Sequence, residues 1–117
     1  MGKLKPGDRV LQDTIRDVLR NVCRGKGIET TFLTAYQILD RLPSPLRDQV
    51  IAERGLGGEG EGSHYAAPSV IAQALGSMHE QGLVEIQYLD TEGLQIGLAG
   101  IMIKTGNSVC ALYRLRE

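Results

Sequence analysis

The chain has no tryptophan, one phenylalanine and four tyrosines among its 117 residues, so aromatics make up only 4% of it. Deep small-molecule pockets draw heavily on apolar and aromatic side chains, and this supply argues against an enzyme built around one. No stretch approaches the ~20 consecutive apolar residues of a membrane helix; the longest lies around Ile101 to Ile103. The opening MGKLKPGDRV carries lysines with no apolar run behind them, so no secretory signal is expected and the protein reads as cytoplasmic. Its two cysteines, Cys23 and Cys110, lie far apart without a Cys-x-x-Cys companion, and two buried thiols are expected rather than a disulfide. Together with His64 and His79 they show no metal-ligand spacing, so neither a metal nor a cofactor is expected.

What is present is a core supply of Leu, Ile, Val and Ala, with hydrophobic residues at 42%. The length suits one domain spanning residues 1–117. The formal net charge of −1 hides an asymmetry. Residues 1–26 carry seven basic groups against three acidic ones, whereas the remainder carries six basic and eleven acidic groups. That split fits an anionic partner for the basic end, an acidic protein among them, or attraction between the two ends within the fold or across a dimer.

From Asp8 to Gly25, Leu11, Ile15, Val18 and Val22 recur at helical steps, with Val10 and Leu19 widening the stripe. Asp8 reads as the cap and Gly25 as the stop. Arg16, Arg20 and Arg24 form a ridge at steps of four, with Arg9 two turns earlier, and Asp13 and Asp17 partly offset their repulsion. The ridge fits a solvated face and a phosphate-facing one equally. TTFLTAYQILDRLP is a second helix, capped at Thr30 or Thr31, with Phe32, Ala35, Tyr36, Leu39 and Leu42 inward and Pro43 enforcing its end. SPLRDQVIAERG is a third, with Ser44 as cap, Pro45 at the first helical position and Gly55 past the end.

A fourth helix starts near Pro68 and stops at Gly82, with Val70, Ile71, Ala74, Leu75 and Met78 on one face. The period then changes to two: in LVEIQYL, Val84, Ile86 and Tyr88 fall on one side, Glu85 and Gln87 on the other. DTEG turns the chain, LQIGLAGIMIK returns it with bends at Gly97 and Gly100, and SVCALYRL is the last strand. The expected fold is α+β, four helices followed by a three-stranded antiparallel meander.

GLGGEGEGSHYAAP, from Gly55 to Pro68, contains Gly-x-Gly-x-x-Gly. A dinucleotide fingerprint needs a strand before it and a helix after it, and here a helix precedes. Lys-Ser or Lys-Thr does not follow the glycines, and Glu59 and Glu61 place negative charge where a phosphate must sit. The stretch therefore reads as a connection between helices. Its far end brings Ser63, His64 and Tyr65 to a helix start, where they suit a phosphate or base edge, or a cap and a core anchor. Ser63 and His64 are adjacent and lack an orienting acid, so catalysis is not expected of them.

From Pro68 onward, PSVIAQALGSMHEQGLVEIQYLD resembles the recognition helix and following wing strand of winged-helix proteins, a helix that breaks at Gly and passes directly into a strand. The likeness extends at most over Thr30 to Leu115. It implies a helix that enters the major groove, with Gln73 suited to adenine. The first expectation is accordingly a dimeric DNA-binding transcription regulator, with Ser63, His64, Ser69 and Gln73 near bases and the ridge Arg9, Arg16, Arg20 and Arg24 gripping the double-stranded DNA backbone. Pro68 to Gln81 contains no Lys or Arg, however, and the small residues Ala72, Gly76 and Ser77 make a flat face suited to a protein partner. The second expectation is thus a non-enzymatic adaptor, and a homodimer through that face or the sheet edge fits either.

Overall fold

A computed structural model describes residues 4–22, 31–55, 67–90, 92–93, 95–98, 101–104 and 109–116. The elements run α1 (Arg9–Asn21), β1 (Leu33–Thr34), α2 (Ala35–Arg41), α3 (Ser44–Arg54), α4 (Ala67–Glu80), β2 (Val84–Asp90), β3 (Gln95–Leu98), β4 (Ile101–Lys104) and β5 (Val109–Leu115). The fold is α+β, and the described residues form four helices and a three-stranded antiparallel sheet in the order β1-β5-β2.

Capping sets the phase of α1. The Asp8 carboxylate accepts from the Leu11 N–H at 2.9 Å, as expected. With the helix begun there, Leu11, Ile15, Leu19 and Val22 are buried, whereas Val18 is only half-buried. Val10 does not widen the stripe: it sits on the opposite side and is 67% exposed. A further clasp ties the first residues down, because the Leu4 N–H donates to Glu53 Oε1 at 2.7 Å and an Arg54 Nη donates to the Leu4 carbonyl at 3.1 Å. The segment before α1 thus meets α3 through the Leu4 backbone.

The start of α2 differs from expectation. Thr34 caps it, not Thr30 or Thr31: Thr34 Oγ1 accepts from the Gln37 N–H at 3.1 Å, and Gln37 Oε1 accepts from the Thr34 N–H at 2.8 Å. This reciprocal box satisfies two helix-end donors at once, which a threonine without a Gln or Glu three residues on cannot do. Leu33 and Thr34 then lie extended and pair with Tyr113 and Leu112 of β5, so Phe32 stands outside the helix. Leu42 is extended before Pro43 and ends α2, as X-Pro sterics require. Ser44 is the first residue of α3 rather than its cap; Pro43 holds that place and supplies no side-chain bond.

α4 supplies the largest share of the core. Ala67, Pro68, Val70, Ile71, Ala74, Leu75 and Met78 are all buried. It ends in the bond pattern that a left-handed residue permits: Gly82, at φ 78°, donates to the His79 carbonyl at 3.0 Å and Leu83 donates to that of Met78 at 2.9 Å. The chain therefore leaves α4 straight into β2.

The sheet departs from the expected meander in membership. β2 pairs with β5 over seven residue pairs, from Val84↔Leu115 to Asp90↔Val109. The middle segment folds on itself instead: among the described residues β3 pairs only with β4, from Gln95↔Lys104 to Leu98↔Ile101. A two-residue connection between Leu98 and Ile101 is the commonest hairpin length, and Gly97 lies within β3 opposite Met102 rather than at a bend of one long strand. The third strand of the main sheet is β1, whose two residues leave no periodicity to detect.

Replacing Thr34 by Ala removes the box acceptor and should lower stability by about 1 kcal/mol. A urea titration measures it; an unchanged midpoint would mean that the box does not hold α2.

Candidate interaction surfaces

On α1, the arginines expected to form a ridge behave differently from one another. Arg9, Arg16 and Arg20 fall within about 40° of each other around the helix axis, by 3.6-residue geometry. Arg9 and Arg20 are exposed, and Arg20 pairs with Asp17 at 3.3 Å. Arg16 is half-buried, and its Nε is buried with no hydrogen-bond partner among the described residues. Its stem lies along the fold, so less of it is open to solvent than of Arg9 and Arg20. Arg24, Ser63 and His64 lie outside the described residues.

The opposite flank of α1 forms one side of an open cleft of about 390 Å³, lined by Thr14, Asp17, Val18, Asn21, Val22, Arg41 and Pro43. Val18 and Val22 are its apolar part, and Thr14 Oγ1 already donates to the Val10 carbonyl at 2.7 Å. Among the described residues its lining includes no aromatic ring, imidazole or thiol.

α4 presents its other face outward. Gln73, His79 and Glu80 are exposed, and Ser69, Ala72, Gly76 and Ser77 are half-buried. These residues come together on one helix surface, as the spacing implied, and that surface carries no Lys or Arg. A Cβ built at Gly76 would meet no heavy atom within 4 Å. The glycine is therefore not demanded by packing among the described residues.

The connection between α3 and α4 is pinned at its ends. Gly55, at φ 75°, closes α3 by donating to the Ile51 carbonyl at 2.7 Å, and its own carbonyl accepts from the Ala67 N–H at 2.8 Å. A helix, α3, precedes the glycines, so the strand that a dinucleotide loop requires is missing from its place.

Two features escaped the sequence reading. The first is a cross-strand cluster: Arg114 reaches Glu85 Oε2 with its Nε at 2.9 Å and an Nη at 2.8 Å, while its guanidinium carbon lies 4.7 Å from the centre of the Phe32 ring. Only the register Glu85↔Arg114 brings these groups together, and register is not written in the local pattern. The second is an apolar end of the β2–β5 pair. Val84, Ile86 and Tyr88 do share one side, but burial fades along it until Tyr88 is 72% exposed, with Val109 at 52% and Leu89 at 37%. The strands outrun the core.

Burial pushes the Cys110 thiol above its ordinary value, so it is a poor nucleophile at neutral pH. Burial also raises the Tyr113 phenol to about 12, with the nearby Cys110 and Tyr88 adding to the effect. No helix among the described residues is long and apolar enough to cross a membrane. Compared with protein-family models, with curated proteins and with solved structures, the chain matches none.

Gly76→Ala should raise stability by about 0.5–1 kcal/mol, because the methyl group meets open space and alanine is the better helix former. Destabilisation in a thermal melt would show that the α4 face is covered. The Tyr113 shift has its own consequence. The phenol ionises near pH ~10 when unfolded and near 12 when folded. Its contribution is whole below pH ~10 and fades as pH rises towards about 12. Tyr113→Phe should flatten the alkaline fall of the urea midpoint; an identical fall would assign it to other groups.

Proposed function

We propose that this chain is a non-enzymatic, winged-helix-like interaction module that docks another protein on the open face of α4. The observation that carries the reading is the charge of that face. Ser69, Ala72, Gln73, Gly76, Ser77, His79 and Glu80 include an acid and no Lys or Arg. A helix entering the major groove depends on cations around it for most of its affinity. The small side chains of Ala72, Gly76 and Ser77 would let another helix approach closely instead. The winged-helix likeness draws support from the order of elements, with α3 and α4 in succession and β2 leaving α4 directly to pair with β5. Cys110 is a free thiol, in keeping with a cytoplasmic setting.

A second reading, the DNA-binding transcription regulator, is favoured by the exposed Arg9 and Arg20 on one flank of α1. Titrating the protein against mixed-sequence fluorescent duplex DNA at about 50 mM and about 200 mM salt separates the two. The interaction-module reading predicts no appreciable binding at the lower salt, together with loss of co-purifying protein partners from Gly76→Arg. Binding that falls by orders of magnitude between the two salts, and is abolished by Arg9→Glu with Arg20→Glu, would overturn it in favour of the regulator.

A further inference from the structure

Among the described residues the main sheet has one long open edge. β2 pairs with β5 on one side only, and among the described residues no backbone group reaches its other side over Val84 to Asp90. Seven residues of unpaired edge are a template for another strand, and proteins usually blunt such edges with charge, proline or a covering segment. This edge has little of that protection. β2 reads Val-Glu-Ile-Gln-Tyr-Leu-Asp, without lysine or proline. The Glu85 charge is taken up by Arg114 at 2.8 Å, and Asp90 Oδ1 accepts from the Glu92 N–H at 3.0 Å.

We propose that β2 pairs antiparallel with β2 of a second copy of this chain, joining two three-stranded sheets into one of six strands. The proposal goes beyond docking on α4, because it uses the edge of β2. The argument for a second copy is self-complementarity. A two-fold axis through Gln87 sets all seven residues against their mates: Val84 faces Asp90 of the second copy, Glu85 faces Leu89, Ile86 faces Tyr88, and Gln87 faces itself. No like charges stand opposite each other in that register, which antiparallel pairing would penalise. Directly opposite residues share a sheet face, so the half-buried Ile86 of one copy continues onto Tyr88 of the other. Tyr88, the most exposed large apolar side chain of the fold as described, then gains the aromatic to β-branched contact that its own strand cannot offer. The Gln87 pair lies on the axis and offers an amide to an amide.

The test exploits that axis. Sedimentation of the full chain from about 1 µM to about 1 mM should show a species of twice the 12.7 kDa chain mass. Gln87→Lys and Gln87→Glu each put like charges face to face, and each should weaken dimerisation several-fold; mixing the two variants should restore it. Both sites of the companion pair, Gln87→Lys with Tyr88→Lys, are exposed, so the monomer should keep its circular dichroism while the dimer disappears. A monomer throughout the range overturns the proposal, and so does a dimer indifferent to all these charges. Either failure leaves docking on α4 intact if Gly76→Arg still removes the co-purifying partners.

Discussion

The structure depends on the burial of one face of α4. Val70, Ile71, Leu75 and Met78 are fully buried, and α4, which places more residues in the core than any other element described, packs on α1, α2, α3 and β2. Fully burying side chains of this size stabilises by roughly 1.5–3 kcal/mol each. Four of them together approach the ~5–15 kcal/mol by which a whole domain of this size is stable. The other helices organise around that face: Leu11, Ile15 and Leu19 of α1 and Ile38 and Leu39 of α2 are wholly buried with it.

A helix committed so fully on one side has only its other side to offer, and the outward face of α4 is small and nearly uncharged. The same economy shapes the sheet. Gly82 turns α4 directly into β2, so β2 is anchored at Val84 and loses cover as it runs on. β5 can follow it for all seven residues because backbone pairing needs no core beneath it. The result is an arm whose inner end is packed and whose outer end displays Tyr88, Leu89 and Val109. The surfaces proposed for recognition thus lie where the hydrophobic supply of the chain runs out, rather than around a pocket.

Much of the fold was legible because it follows from local rules. The helical phases, Asp8 as cap, Pro68 at the start of α4 and Gly82 at its end are dictated by 3.6-residue spacing and by helix-end chemistry. What was not legible is non-local. β1 exists only because Leu33 and Thr34 find Tyr113 and Leu112, some eighty residues on. Thr34 outcompetes Thr30 and Thr31 as cap only because Gln37 can answer it. The expected strand from Leu94 to Lys104 has two self-complementary halves, and pattern alone does not say whether they pair with each other or with neighbours. At the candidate surfaces, spacing placed Ala72, Gly76 and Gln73 together on α4, but it could not foresee that Arg16 lies down while Arg9 and Arg20 stand out. A side chain's resting place is a property of what packs beside it.

Native-state hydrogen exchange of α4 tests this account most directly. If α4 holds the fold together, the amides from Ile71 to Met78 should exchange only when the whole protein unfolds, with the same free energy as global denaturation. If they exchange through a cheaper local opening while α1 and α2 stay protected, the core does not depend on α4 and the account is wrong.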